Sequence, residues 1–403
     1  MSKVVFFAIP AHGHINPTLS LVSGLAARGE RVIYYVSPAF AEKVASAGAE
    51  PRIMSTRFDR LIEEQALTVG RNAFSIAARL MEACLEHTGR IADELRSEKP
   101  DYIVHDAMAV YGKAVSQLLG VPAVSTIPSP CWGQGRLADV PIWFALDIVR
   151  QGLMAPREIV SYFASSRRMK ALYGLSFGWP LRVFFSYEEV SIITTSRIFQ
   201  HLADDLDPRK FIIAGPLLAR PEEGSFMKET DSELKLVYVS LGTVYNNDKS
   251  FFGECFKAFR DSQYRVLVST GTAIDARSLG EVPPNFTLAP AVPQMQVLRN
   301  TAVFVSHGGM NSLNEALYHG VPVVLVPQAL DQFINSRRIS DLGAGIYVRK
   351  PSGANLRKAV DRLMNEPGYR NRARALSVEI KAEAGIRKAL EAIDEFKRAH
   401  AIV

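Results

Sequence analysis

Tyr102-Ile103-Val104-His105-Asp106 reads as a buried strand, and a helical stretch through Leu119 leads from it to Gly120-Val121-Pro122, which opens a further strand. Farther along, Val303-Phe304-Val305-Ser306-His307 is again a strand with a polar tip, and after a second helix Gly320-Val321-Pro322 opens the next strand. Apolar runs without alternation are what parallel strands buried on both faces require. Strand, polar tip, helix, Gly-Val-Pro, strand is one device used twice, so the chain is expected to form two doubly wound α/β domains. Each half also has an opening strand. Val4 to Ile9 is followed by a Gly-containing turn, by Leu19, Leu21, Val22, Leu25 and Ala26 at helical spacing, by a stop at Arg28-Gly29, and by a second strand, Val32 to Val36. Leu236 to Leu241 repeats that opening with Gly242-Thr243 as its turn, and Val266 to Ser269 is the next strand. Ligands of such domains sit beyond the carboxyl ends of the strands. The tip residues His14, Asp106, Ser240, Gly242 and His307 are therefore expected to face one cleft between the domains.

Composition fits this frame. The chain has 403 residues, 48% hydrophobic and 22% charged, which suits about two domains and sets aside disorder, collagen and coiled coil as whole-chain readings. The net charge of +6 is local: between Arg337 and His400 there are 15 Lys/Arg against 8 Asp/Glu, a surplus of 7. That stretch reads as helical, so the excess describes a solvated helical surface and no nucleic-acid partner is expected. Cys84, Cys131 and Cys255 are odd in number and form no C-x-x-C pair, which argues against a disulfide framework or zinc site and for a cytoplasmic setting. No apolar run approaches ~18 residues, so no stable membrane insertion is expected, and Val4 to Ile9 reads as a strand rather than a signal peptide. The Pro-, Gly- and Glu-containing stretch 215–233 reads as a linker between domains 1–214 and 234–385, with 386–403 as a C-terminal helix able to pack back on the N-terminal domain. Residues 130–185 show weak periodicity and hold all three tryptophans, Trp132, Trp143 and Trp179. They read either as loop packing or as an apolar ligand pocket, with Trp132, Trp143 and Phe144 as candidate lining.

Ser306-His307-Gly308-Gly309-Met310-Asn311-Ser312-Leu313-Asn314-Glu315 follows a buried strand and opens a helix. Two glycines let the backbone approach a ligand closely. The free N–H groups and dipole of the helix N-terminus favour an anion, and Asn311 and Ser312 can add hydrogen bonds. Glu315 lies one turn beyond Asn311 on the same face. A carboxylate there suits paired hydroxyls, so the order anion then diol reads as the phosphates and ribose of a nucleotide. Neither a G-x-x-x-x-G-K-[ST] nor a G-x-G-x-x-G is present, which weakens kinase and dehydrogenase readings. Gln328, Asp331 and Gln332, read as a polar loop beyond the strand Val323 to Val326, suit a polyol such as a sugar.

In the N-terminal half His12, Gly13, His14 and Pro17 are read as lying in the first strand-to-helix turn. A neutral imidazole is the natural general base near pH 7, and it works better when a carboxylate fixes its tautomer and stabilises the imidazolium. Asp106 is the best-placed partner. His105 points the other way along its strand and reads as structural. No G-x-S-x-G elbow supports a hydrolase. Asp205-Leu206-Asp207 looks like an acidic metal-nucleotide motif but lies in a charged loop, and no metal is expected.

Pro10-Ala11-His12-Gly13-His14-Ile15-Asn16-Pro17, Thr195-Ser196-Arg197, Ser240-Leu241-Gly242-Thr243 and the stretch from Val292-Pro293-Gln294 to Asp331-Gln332 resemble the UDP-dependent glycosyltransferase superfamily, in its bacterial macrolide- and flavonoid-glucosylating branch. The resemblance covers nearly the whole chain. It implies the α/β fold called GT-B: two facing Rossmann-like doubly wound domains with an interdomain cleft, acceptor in the N-terminal one and sugar nucleotide in the C-terminal one. The family's catalytic histidine precedes its proline by three positions, which selects His14 over His12, and Asp106 matches the supporting aspartate. The donor-binding residues it implies are Ser240, Gly242, Thr243, Val292, Gln294, His307, Gly309, Asn311, Ser312, Glu315, Gln328, Asp331 and Gln332. Where many relatives carry an aromatic residue before Val-Pro-Gln, this chain has Ala291, which removes a stacking surface for uracil. The implied activity is inverting transfer of a hexose, glucose as the best guess, from a UDP-sugar co-substrate to a hydroxyl of a small apolar natural product such as a flavonoid or macrolide, without cofactor or metal. Two other readings stay open at this point: a sugar-nucleotide epimerase of the same fold, and a non-catalytic nucleotide-sugar binding protein.

Overall fold

In the computed structural model, which describes residues 1–54, 72–132, 142–218, 234–242, 248–271, 274–328 and 331–403, the chain divides into two units. Met1–Ala219 with Ala384–Val403 form the first and Arg220–Glu383 the second.

The first unit runs β1 (Lys3–Phe7), α1 (His12–Ala27), β2 (Arg31–Val36), α2 (Ala41–Ser46), β3 (Glu50–Ile53), α3 (Ala73–Glu98), β4 (Tyr102–Asp106), α4 (Val110–Leu119), β5 (Ala123–Ile127), α5 (Ile142–Leu153), α6 (Pro156–Tyr173), β6 (Val190–Ile193) and β7 (Phe211–Ile213). Its seven strands are ordered β3-β2-β1-β4-β5-β6-β7, every pairing parallel. β1 and β4 sit at the centre, where the order reverses direction. Alternate side chains feed two cores. Val5 and Phe7 enter a layer with Ile103, Met81 and Tyr111, whereas Val4 and Phe6 enter a layer with Leu21, Leu25 and Val104.

The second unit runs β8 (Lys235–Ser240), α7 (Lys249–Phe259), β9 (Tyr264–Ser269), β10 (Phe286–Ala289), α8 (Gln294–Arg299), β11 (Thr301–Ser306), α9 (Met310–Tyr318), β12 (Val323–Leu325), α10 (Asp331–Asp341), β13 (Gly345–Tyr347), α11 (Gly353–Asn365) and α12 (Pro367–Ala382). Its parallel order is β10-β9-β8-β11-β12-β13. β8 and β11 hold the places that β1 and β4 hold in the first unit, as the two Gly-Val-Pro devices predicted.

The last helix, α13 (Ile386–Ala399), belongs to the first unit. Leu390, Ile393 and Phe396 are buried in the β1/α1 layer, roughly 2 kcal/mol each by apolar area. Gly24 on α1 is tight against Leu390: a Cβ there would lie 2.8 Å from its Cδ1. Lys397 donates to Glu30 at 2.8 Å and to Ser2 at 2.7 Å, and Tyr102 donates to the same Glu30 at 2.6 Å, so the buried carboxylate is fully partnered.

Two expectations change here. The weakly periodic stretch 130–185 is largely two helices, α5 and α6. α6 had the right punctuation, Pro156 at its start and Gly174 at its end with φ +71°. α5 gathers Asp147, Arg150 and Gln151 in one arc and exposes large aliphatic residues beside its packed face, so hydrophobicity alone does not mark its buried side. His12, Gly13 and His14 form the first turn of α1 rather than a turn before it; Pro17, the sixth residue, lies inside the helix, gives up the N–H bond to the Gly13 carbonyl and is buried.

Candidate active site

The β1–α1 corner of the first unit is tight. Ala11 donates its N–H back to Ile9 C=O at 2.7 Å, and His14 N–H bonds Ala11 C=O at 2.9 Å. This starts α1 with His14 on its first turn, beside the end of β4. His14 Nδ1 lies 2.8 Å from Asp106 Oδ2. The Asp106 side chain is fully buried and His14 keeps 19% exposure. Asp106 Oδ1 accepts the Met108 N–H at 2.8 Å, so both carboxylate oxygens are held. The carboxylate accepts, so Nδ1 carries the proton and Nε2 the lone pair, the tautomer a general base requires. His12 has no such carboxylate. Its ring meets Phe40 edge-on at 4.7 Å, and burial together with the nearby Lys43 lowers its pKa.

His105 faces away from Asp106's side chain, as strand alternation demands. It is fully buried, with Nε2 2.9 Å from Glu188, whose carboxylate also meets Lys113 at 3.1 Å. The Asp205-Leu206-Asp207 segment is a turn: Leu206 is buried and Asp207 accepts the Arg209 N–H at 3.0 Å. Among the described residues no group of three acidic, His or Cys side chains could hold a metal.

Trp132 is buried. Its ring is nearly parallel to Phe144, centroids 6.2 Å apart, and to His201 at 5.9 Å. Two of the candidate acceptor residues thus come together, with His201 as a third ring that periodicity could not have selected. The side chain of Trp143 lies outside the described residues, as does the donor candidate Thr243.

The second unit builds its corner differently. Ser240 ends β8 and Ser306 ends β11. Each Oγ accepts the N–H two residues on, Gly242 and Gly308 respectively, both at 3.2 Å. Those glycines have φ of +78° and +82°, a region costly for residues with a Cβ. The His307 ring fills the space beside the glycines. A Cβ on Gly242 would lie 2.5 Å from its Cε1, and one on Gly309 would overlap its Nε2. Burial lowers the His307 pKa to about 4, so the ring is neutral at pH 7. Its Nδ1 is buried with no hydrogen-bond partner among the described residues.

Gly309 is the N-cap of α9 and makes no side-chain cap hydrogen bond, and a helix N-terminus favours an anion. Asn311 and Ser312 lie on that first turn. Glu315 Oε2 accepts from Gln294 Nε2 at 2.6 Å; the same amide lies 3.3 Å from Ser312 Oγ, and Gln294 Oε1 accepts from Tyr238 at 3.1 Å. Val292 and Pro293 lead into α8, where Gln294 is the first residue. Donor candidates from α8 and α9 thus form one network, joined by Tyr238 of β8.

Asp331 and Gln332 open α10 rather than a loop. Gln332 Oε1 accepts the Gln328 N–H at 2.9 Å, which fixes the end of the β12 loop. Asn335, one turn on, donates to Asp331 at 3.0 Å and to the Gly308 carbonyl at 3.2 Å. This buried residue ties the predicted sugar-contacting segment to the glycine loop. Its spacing of four from Asp331 was the available signal.

Comparison with known proteins bears on this arrangement. The NDP-glycosyltransferase YjiC of Bacillus licheniformis is 32% identical over 98% of this chain and 97% of its own length. The chain belongs to the UDP-dependent glycosyltransferase superfamily. Within it this glycosyltransferase falls in the bacterial macrolide/flavonoid branch. Residues 265–392 match the family described as erythromycin biosynthesis protein CIII-like, C-terminal domain. The oleandomycin glycosyltransferase of Streptomyces antibioticus is 28% identical over 98% of this chain and 90% of its own length. The solved glycotransferase of kitacinnamycin is 28% identical, with a TM-score of 0.82 over 98% of both chains. The fold of this glycosyltransferase is GT-B. The comparisons name transferases, and they lend nothing to the epimerase or non-catalytic readings.

Proposed function

We propose that this glycosyltransferase moves a hexose, glucose first, from a UDP-sugar to a hydroxyl of a small apolar natural product such as a flavonoid or macrolide, with inversion and without a metal ion. The observation that carries the reading is the 2.8 Å bond between His14 Nδ1 and a fully buried Asp106. His14 Nε2 takes the proton of the acceptor hydroxyl, and the Asp106 carboxylate stabilises the imidazolium. The acceptor oxygen attacks C1 of the α-linked sugar as the C1–O bond to UDP breaks on the opposite face, giving a β-glycoside. The leaving diphosphate is received by the N-terminus of α9, beside the neutral His307 ring. Glu315 is suited to the ribose hydroxyls and Gln328, Asp331 and Gln332 to the sugar. The Trp132–Phe144–His201 group supports an aromatic or macrocyclic acceptor. Three buried free thiols fit a cytosolic setting.

The test is incubation with UDP-glucose and a small phenol in the presence of EDTA, followed by mass spectrometry and NMR of the product. A hexose-adduct with a β anomeric proton is expected. An α-glycoside overturns inversion, loss of product with EDTA overturns the metal-free step, and epimerised UDP-sugar without adduct overturns transfer. With Ala291 in place of an aromatic, TDP is expected to compete with UDP-glucose nearly as well as UDP.

A further inference from the structure

α5 carries two apolar faces, centred roughly 130° apart at ~100° per residue. One of them, with Phe144, Ile148 and Gly152, packs on Ala73, Phe74 and Ala155. On the other, Ile142, Leu146, Val149 and Leu153 recur at i, i+4, i+7 and i+11, and at ~100° per residue they fall in a strip roughly 60° wide. They are 76%, 63%, 57% and 79% exposed, and Met154 beyond them is 69% exposed. A solvent-facing helix face is ordinarily polar, and a contiguous strip of large aliphatic side chains marks an interaction surface.

The charges on α5 and on α6, the helix that follows it, point to a partner. From 142 to 173 the chain has Arg150, Arg157, Arg167, Arg168 and Lys170 against Asp147 and Glu158, a surplus of three positive charges. Arg150, Arg157, Arg167, Arg168 and Lys170 are all exposed. We propose that this face of α5 docks on an anionic lipid bilayer surface, lying on it rather than crossing it. An amphipathic helix with aliphatic residues on one side and flanking cations gains from both burial at the headgroup boundary and attraction to anionic lipid. A second copy of the chain is the weaker occupant. A two-fold contact sets the same patch against itself, which would bring like charges together. At 12 residues α5 is too short to span, and no described helix is long and apolar enough to cross a membrane. The docking proposal stands on α5 and α6 alone and does not depend on the acceptor or on the chemistry at His14.

The full chain is tested by flotation with vesicles of phosphatidylcholine alone and of phosphatidylcholine mixed with phosphatidylglycerol. Binding to the anionic vesicles is expected, falling severalfold without phosphatidylglycerol or at about 0.5 M salt, where screening is short-ranged. The double change Leu146→Ser with Leu153→Ser, at exposed positions, is expected to lower binding at least about fivefold with an unchanged melting curve. Arg150→Glu with Arg157→Glu is expected to remove the lipid-charge dependence and leave the melting curve alone. Absence of flotation by the unmodified chain overturns the proposal, and so does undiminished binding by the double serine variant. A dimer that the serine changes dissociate, with no vesicle binding, assigns the strip to a second copy and equally overturns it.

Discussion

Each unit places a histidine beyond the end of one of its two central strands, and the surroundings of the two rings differ. In the first, the imidazole comes from the corner after β1 and meets a carboxylate from the tip of β4: His14 and Asp106, 2.8 Å apart. In the second, it comes from the corner after β11, the counterpart of β4, and meets no carboxylate. Its neighbours are Gly242, from the corner after β8, and Gly309. The carboxylate makes the first ring a base with a fixed tautomer. Glycine and burial make the second a neutral group, with its pKa at about 4, suited to donating or accepting a hydrogen bond beside an anion. On the proposed reading one topology supplies both a proton acceptor and an anion cradle, and what differs is the residue on the adjacent strand tip.

The comparison is most sharply broken at the first corner. His14→Ala is expected to cut transfer about 10²–10⁴-fold, the ordinary worth of a general base, with UDP affinity by calorimetry unchanged. Asp106→Asn, which forces the wrong tautomer, should fall in the same range. Near-normal turnover in either variant would sink the assignment. At the second corner Gly309→Ala should displace His307 and weaken UDP binding by tens of fold, about 2 kcal/mol, while a His14-type loss of turnover at saturating UDP-sugar should be absent. Unchanged affinity would show that the glycine clamp has no part in donor binding.

The third expectation concerns pH. The His307 pKa is about 4 in the folded chain against an ordinary 6.5. As pH falls through 6.5 the unfolded chain binds a proton that the folded chain refuses, so stability is lost progressively between about pH 6.5 and 4 and is fully present above 6.5. The limit is of order 3 kcal/mol. His319, also held at about 4 by burial and by Lys381 and Arg299, acts in the same direction. Urea midpoints at pH 7 and pH 5 should therefore separate less in His307→Gln than in the natural chain, without converging. An equal separation would contradict the buried-ring account. The smallest effect is at Ser306→Ala, which removes the bond to the Gly308 N–H and should cost about 1 kcal/mol in the same denaturation. Ser240→Ala is its control at the other strand tip and should match it within a factor of two.

Much of this was legible beforehand because it is local. Continuous apolar runs give buried parallel strands, and the repeated Gly-Val-Pro placed β4 and β11 in equivalent positions. Gly308-Gly309 before a helix could be read as an anion site because backbone N–H groups at a helix start have no intrahelical partner. α5 was not legible, since its exposed side carries aliphatic residues as large as those on its packed side. Nor was the start of α10 at Asp331, where the polar residues that suit a loop also suit a first helical turn. His201 and Asn335 were missed because each acts through a contact outside its own element: a ring stacked on Trp132 from about 70 positions away in the chain, and an amide bonded to the carbonyl of Gly308.

The sequence by itself determined the two parallel-sheet units, the strand tips that carry polar residues, and the glycines at φ near +80°, because burial of apolar runs and backbone sterics are set residue by residue. Only the tertiary structure decided which histidine has a carboxylate. His14 and Asp106 are 92 positions apart, and their meeting requires β1 and β4 to pair in one register, from Val4 opposite Tyr102 to Phe7 opposite His105. Tertiary packing likewise decided that His307 is neutral, because the burial that lowers its pKa includes Gly242 from the corner after another strand, β8.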